Sequence, residues 1–151
     1  MMITFTAYCT PTPQGSMKGF VVPGKNGAKP RAIVTADNKK LKPYRSEVTR
    51  CAMQALADSS SNVGQPFAPK HVPVSLVLDF TLLKPESCPR KRIYPVVKPD
   101  IDKLVRATLD ALTGVLYADD AQVAEITTRK FYGAIENVHV SARVMDSELL
   151  Q

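Results

Sequence analysis

The chain has 151 residues, of which 44% are hydrophobic and 23% are charged, a balance typical of a folded domain. These values exclude a collagen-like chain, a wholly disordered chain and a disulfide-bonded miniprotein, and the length predicts one domain over residues 1–151. The formal net charge is +6, which favours a polyanionic partner.

The three cysteines, Cys9, Cys51 and Cys88, show no C-x-x-C spacing. An odd number without that spacing predicts neither a disulfide framework nor a zinc ribbon, and it indicates a reducing intracellular setting. No apolar stretch approaches the roughly 18–20 residues that span a bilayer, and the amino end lacks the basic segment of a secretory signal. We therefore expect a cytoplasmic protein.

The first part of the chain predicts a strand, a hairpin and a helix. Apolar residues alternate over residues 2–9, and residues 17–22 and 31–35 flank a basic, glycine-containing loop, which is typical of a hairpin. Pro43 suits the first turn of a helix. An apolar helical face follows, formed by Tyr44, Val48, Cys51, Ala52, Ala55 and Leu56.

A polar loop, a buried strand and a basic loop come next. Residues 58–69 are rich in serine, glycine and proline and predict a loop, whereas the β-branched and aliphatic residues 72–83 predict a buried strand. Residues 84–99 contain four prolines and the densest basic run, Arg90-Lys91-Arg92. We expect this segment to form a mobile loop.

The last third predicts a second helix and a closing hairpin. Apolar residues recur at helical spacing over 101–112, and Gly114 stands where a helix C-cap belongs. Residues 123–131 and 135–144 are joined around Gly133 and predict a β-hairpin. Together the elements predict an α+β fold, in which two helices pack on one side of a mixed, mostly antiparallel sheet.

The charges are unevenly distributed along the chain. Residues 17–50 carry nine basic groups against two acids, and residues 84–106 carry seven against three. Residues 107–151 reverse the sign, with three basic groups against seven acids. A single lysine-rich stretch is usually solvated surface. Two such stretches beside an acidic region suit a protein that binds several phosphate groups and carries out chemistry at one of them.

Two acidic pairs carry the candidate chemistry. Asp100 and Asp102 enter the second predicted helix, and Asp119 and Asp120 lie in the turn after it. A helix of this length followed by a turn predicts that both pairs meet at one rim, where four carboxylates would repel each other unless cations lay between them. Hard oxygen ligands of this kind suit Mg²⁺ or Mn²⁺. Arg106 is predicted on the same helix face as Asp102.

Each acidic pair also has a structural interpretation. Asp-x-Asp at a helix start can complement the helix dipole or cap free N–H groups, and Asp-Asp in a turn is common solubilising chemistry. Both pairs together, beside the basic run at 90–92 and Lys98, favour metal-assisted phosphate chemistry. Asp110 lies two turns beyond Asp102, and we expect a structural hydrogen-bonding role for it.

Residues 99–123 read PDIDKL, five further residues, then DALTGVLYADDAQV. In order and spacing this run resembles the D-x-D-N-L-x-K, D-A-L and D-D-x-Q pattern of the RusA family of Holliday junction resolvases. The resemblance implies a small homodimeric endonuclease that nicks four-way DNA junctions with Mg²⁺ or Mn²⁺. Proteins of this family are often encoded by phages and prophages, so the implied setting is a bacterial or phage-infected cell.

The resemblance also implies roles for individual residues. Asp100, Asp102 and Asp120 match the metal-binding catalytic carboxylates, and the adjacent Asp119 is a further candidate metal ligand. We expect basic side chains to hold the DNA arms by their phosphates, reading shape more than sequence. The candidates are Lys39, Lys40, Lys42, Arg45, Arg90, Lys91, Arg92, Lys98 and Lys103.

The chain departs from the family pattern at two positions. Lys103 stands where the family has asparagine, and Arg106 stands where it has the catalytic lysine. Arginine is hardly ever deprotonated, so Arg106 can stabilise charge that builds on a phosphate but cannot exchange protons as a lysine can. Either Arg106 does this work, or Lys103 or Lys98 substitutes for it.

The preferred hypothesis is hydrolysis of a DNA phosphodiester at a branched junction during recombination and repair. A DNA-binding module without catalysis is one alternative, and metal-dependent strand cleavage would separate it from the enzyme. A Mg²⁺-dependent nucleotide phosphohydrolase is another, but it leaves both basic stretches without a role. A nuclease that prefers flaps or replication forks is a variant of the first hypothesis.

Overall fold

The computed structural model describes residues 1–15, 17–36, 38–59 and 66–145. The fold over these ranges is α+β, as predicted, and part of the loop expected at 58–69 lies outside them. The elements are β1 (Met2–Ala7), β2 (Met17–Val22), β3 (Arg31–Ala36), α1 (Leu41–Asp58), β4 (Val74–Leu83), α2 (Ile101–Leu112), a 3₁₀ turn (Asp120–Gln122), β5 (Val123–Gly133) and β6 (Asn137–Val144).

Four strands form a mixed sheet in the order β1-β6-β4-β5. β6 is antiparallel to both β1 and β4, whereas β4 and β5 are parallel. A parallel pair needs a crossover connection, and α2 lies on the connection between β4 and β5. The predicted hairpin at β2 and β3 is confirmed as a separate two-stranded sheet.

The predicted hairpin between β5 and β6 is wrong, because β4 lies between these strands. One face of β4 is completely buried from Val74 to Phe80, and a strand of this kind is stabilised most at the centre of a sheet. β5 is exposed over residues 124–127 and occupies the edge. The chain passes closely over the end of β4, since a Cβ on Gly133 would lie 2.5 Å from Cγ2 of Thr81.

Both helices pack on the buried face of the sheet. The hydroxyl groups of Tyr44 on α1 and Thr108 on α2 lie 2.8 Å apart within the core. Neither described helix is long and apolar enough to cross a membrane. The buried helix residues are Leu41, Tyr44, Val48, Ala52 and Leu56 on α1, and Leu104, Ala107, Thr108, Ala111 and Leu112 on α2.

The end of α2 follows the predicted pattern. Gly114 has a φ of +84°, the left-handed conformation that glycine adopts without steric cost just after a helix. Its N–H donates to the carbonyl of Tyr117 at 2.7 Å. The chain therefore turns back directly after α2 and leads into the segment that carries Asp119 and Asp120.

Candidate active site

The first acidic pair stands at the start of α2. Asp100 occupies the N-cap position, yet its side chain caps no backbone N–H. Its carboxylate is about half exposed and lies 3.5 Å from Nζ of Lys103. Asp102, in the first turn of the helix, is exposed and makes no ion pair within the described part of the chain. Both carboxylates are thus accessible to a ligand.

Arg106 lies one turn after Asp102 on the exposed side of α2. The two residues have the spacing that often forms a helical ion pair, but the structure contains no ion pair between them. Arg106 makes none with any other described residue. Its guanidinium therefore keeps its full charge available for an external anion such as a phosphate.

Both carboxylates of the second acidic pair are exposed, and that of Asp119 also has a structural role. Asp119 caps the 3₁₀ turn, because its side chain accepts from the N–H of Ala121 at 2.8 Å. Gln122 completes a capping box and donates to the carbonyl of Pro69 at 2.8 Å. Asp120 is exposed. The role of Gln122 was not predicted from the sequence, although Asp-x-x-Gln is itself a capping-box signal.

The environment of Tyr117 shows where this second pair lies. Its hydroxyl donates to the carbonyl of Leu109 near the end of α2 at 3.0 Å. Burial, and then the nearby charge of Asp120, raise the pKa of Tyr117. Asp120 is three residues beyond Tyr117 and begins the turn that leads into β5, so this pair lies near the C-terminal end of α2, which Tyr117 contacts.

The two acidic pairs lie at opposite ends of α2, so the expectation that they meet at one rim is wrong for a single chain. The seven residues from Asp102 to Leu109 already rise about 10 Å along the helix axis, and Asp120 lies in the turn that follows the end of the helix. No group of three or more acidic, histidine or cysteine residues that could hold a metal ion occurs within the described ranges. The two pairs are separated because α2 belongs to the connection that leads from the end of β4 back to the start of the parallel strand β5.

The basic loop at 84–99 contains no helix or strand, but several hydrogen bonds tie it to its surroundings. Nζ of Lys84 donates to the carbonyls of Arg90 and Arg92 at 2.7 and 2.9 Å. Nζ of Lys130 on β5 donates to the carbonyls of Val97 and Pro99, both at 2.9 Å. The lysine of β5 thereby fixes the segment that leads directly into Asp100.

The cations predicted to bind DNA fall into two groups. Most are exposed and make no ion pair in the part of the chain that the structure describes, so their charges remain available. Lys103 is paired with Asp100, and Arg45 is bound within the fold. The exposed, unpaired members are Lys39, Lys40, Lys42, Arg90, Lys91, Arg92 and Lys98.

Arg45 differs from the other predicted DNA-binding residues. Its guanidinium donates to Oδ2 of Asp110 at 2.6 Å and also to the side chain of Gln14. It therefore joins α1 to α2 rather than projecting into solvent, and Asp110 has the structural role that was expected. Lys39 and Lys42 line the open groove of about 860 Å³ beside this ion pair.

An α+β domain that presents accessible carboxylates beside unpaired cations has the surface expected of a nuclease. Residues 20–143 match the family model described as Endodeoxyribonuclease RusA. The chain belongs to the RusA family of endodeoxyribonucleases, which are Holliday junction resolvases that act on branched DNA. It is also 28% identical over 142 residues to "Uncharacterized protein YqaN" of Bacillus subtilis (strain 168), with 93% of this chain and 95% of that protein covered.

Proposed function

We propose that the chain nicks four-way DNA junctions as a homodimer, in a reaction that depends on Mg²⁺ or Mn²⁺ and uses Asp100, Asp102 and Asp120. The observation that carries this proposal is the presence of accessible carboxylates at the two ends of α2, which a two-fold dimer could bring together. Family membership supports the DNA substrate, and the unpaired cations around Asp100 support binding to phosphates.

The donor chemistry suits a hard divalent cation. Mg²⁺ prefers oxygen ligands, retains several waters and takes further ligands from substrate phosphate, so that one or two protein carboxylates can suffice at a site. Asp100 and Asp102 offer accessible oxygen atoms at one end of α2. When bound, the ion neutralises charge on the scissile phosphate and makes an attacking water easier to deprotonate.

A two-fold dimer would bring the carboxylates at the two ends of α2 together. In an isologous interface, a residue of one subunit that meets a second residue of its partner implies the reciprocal contact. If Asp102 of one subunit meets Asp120 of the partner subunit, the same contact recurs on the other side of the axis. Two equivalent sites result, which suits a four-way junction with two symmetric scissile strands.

The other residues near the site have separate roles in this proposal. Arg106 stabilises the charge that develops on the phosphate in the transition state. Lys103 holds Asp100 through their ion pair at 3.5 Å and contributes positive charge beside the DNA. Asp119 shapes the turn through its cap, and this positions Asp120.

The exposed cations at 39–42 and 90–92, with Lys98, would hold the DNA arms through their phosphates. Contacts of this kind fix position and register without reading bases directly. Their affinity comes largely from the release of counterions. Recognition would therefore depend on the shape of the junction. The contacts of Lys130 with residues 97–99 would hold Lys98 in a constant relation to Asp100.

The test is a gel assay that compares a labelled four-way junction, a flap, a replication fork and a linear duplex, each with and without Mg²⁺. The proposal predicts paired symmetric nicks in the junction only when the metal is present. Binding without cleavage under all metal conditions would support a non-catalytic module instead. Faster cutting of flaps or forks would reassign the substrate, and turnover of free nucleotides with intact junctions would favour a phosphohydrolase.

A further inference from the structure

Four large apolar side chains lie exposed in the basic loop directly before Asp100. They are Ile93, Tyr94, Val96 and Val97, with exposed fractions of 61%, 59%, 71% and 56%, and we call them the apolar tip. Contiguous exposed apolar groups are uncommon on a monomeric domain and mark sites of interaction. Each of these side chains is more than half exposed within the described part of the chain.

The apolar tip is exposed although its backbone is held in place. The carbonyl of Ile93 accepts from the N–H of Tyr132 at 2.9 Å, and that of Val97 accepts from Lys130. Between them Pro95 is buried, so the loop is anchored at its centre while the neighbouring side chains point outward. The ring of Tyr94 packs against Phe131 on β5, with their centroids 5.6 Å apart.

The charges around the apolar tip indicate its partner. The run at 90–92 precedes it and Lys98 follows it, and these four cations make no ion pair with any described residue. An apolar surface between uncompensated cations suits a polyanion that also exposes apolar faces. Single-stranded and unstacked nucleic acid has this combination, because its phosphates carry charge and its bases offer π-faces.

We infer that the apolar tip contacts nucleobases that are unstacked at the branch point of the junction, with Tyr94 as the stacking residue. The inference rests on the proposed function and adds the feature of the substrate that is recognised. Linear duplex keeps its bases stacked and would meet only the flanking cations. The apolar tip would therefore contribute to the preference for junctions over duplex, and it would bring the branch point close to Asp100.

The test compares Tyr94→Ser with Tyr8→Ser in the full-length protein without divalent metal. Tyr8 is a matched control, since it is 68% exposed and follows β1 at the opposite edge of the sheet. Tyr94→Ser should weaken junction binding about tenfold, the scale of one lost base stack, and leave duplex affinity unchanged. 5-Iododeoxyuridine at the branch point should crosslink to Tyr94, whereas the same base within an arm should not.

Three results would overturn the inference while leaving the proposed function intact. The first is an unchanged junction affinity in Tyr94→Ser, and the second is an equal loss of affinity for junction and duplex. The third is a change of Tyr94→Ser from dimer to monomer in light scattering, which would assign the apolar tip to an interface between copies of the chain. If the parental protein showed no preference for junctions at all, the proposed function would fail and the inference with it.

Discussion

Arg45 and Asp110 form an ion pair that joins the two helices, with Nη2 of Arg45 2.6 Å from Oδ2 of Asp110. The side chains are 32% and 40% exposed, so solvent screens the pair, and such pairs typically contribute up to about 1 kcal/mol. Asp110 belongs to the family motif and Arg45 to the first basic stretch, and their ion pair gives both residues a structural role.

We therefore expect Asp110→Asn to lower the free energy of unfolding by less than about 1 kcal/mol and to leave the cleavage rate per folded molecule unchanged. Urea unfolding and a single-turnover nicking assay would measure the two effects. Asp58→Asn is a control, because Asp58 accepts a hydrogen bond within α1 from Gln54 at 2.8 Å. Loss of cleavage in Asp110→Asn alone would make Asp110 a further functional acid.

A second prediction concerns the buried hydrogen bond between the helices. The hydroxyl of Thr108 donates to the carbonyl of Leu104 at 2.8 Å, so the hydroxyl of Tyr44 must donate to Thr108. Thr108→Val leaves this buried donor without an acceptor and should lower the free energy of unfolding by about 1–3 kcal/mol. Tyr44→Phe removes the donor itself and should lower it by about 0.5–1.5 kcal/mol. In urea unfolding the double variant should lose less than the sum of the two, and strict additivity would show that the hydroxyls are not coupled.

A third prediction concerns the run at 90–92. Replacing Arg90, Lys91 and Arg92 with glutamine should weaken binding to every DNA and flatten its salt dependence, by about 0.9 in the log–log slope for each phosphate that is no longer neutralised. Arg50→Gln is the control, because Glu47 already neutralises Arg50 at 2.7 Å, and its slope should remain parental. An affinity loss confined to one DNA sequence would mean that the loop reads bases directly.

The fourth prediction concerns the arginine that replaces the family lysine. If Arg106 stabilises the transition state, Arg106→Ala should lower the single-turnover rate by about 10²–10³-fold with little change in junction affinity. Arg106→Lys should retain activity, and could raise it if the site favours an amine that can release a proton. A parental rate in Arg106→Ala, together with a slow Lys103→Ala, would transfer the role to Lys103.

Much of the fold could be predicted from local pattern. The apolar periodicity of α1 and α2, the alternation in β1 and the hairpin of β2 and β3 all appear in the structure within a few residues. The separation of β5 and β6 by β4 could not be predicted, because a short connection around Gly133 has the same local signal whether the strands pair or flank a third strand. Only the burial of β4 decides between these two topologies.

The candidate site was predicted less completely for a similar reason. Local sequence shows that Asp102 begins a helix and that Asp120 follows it, but the direction in which the chain returns depends on the parallel pairing of β4 and β5. The anchoring of the basic loop by Lys130 was also missed, since its contacts with residues 97–99 join segments more than thirty positions apart. No spacing rule reports contacts over such a distance.

Subunit mixing tests the central claim, that Asp102 of one subunit acts with Asp120 of the partner subunit. Asp102→Asn and Asp120→Asn should each abolish nicking while retaining junction binding, since removing one carboxylate relieves repulsion of the phosphate. When the two variants are mixed and allowed to exchange subunits, each mixed dimer would hold one site with both residues intact. First-strand nicking should then recover to about a quarter of the parental rate, because half of the dimers are mixed and each has one working site of two.

The control mixture combines Asp102→Asn with Asp100→Asn. Both substitutions lie at the same end of α2, so each of the two sites in a mixed dimer contains one substituted residue. The mixture should therefore stay inactive. Recovery in the first mixture and none in the second would support a site shared between subunits. The contradicting result is a mixture of Asp102→Asn and Asp120→Asn that stays as inactive as either variant alone after subunit exchange. Both carboxylates would then have to act within one chain, and the site would not be shared between subunits.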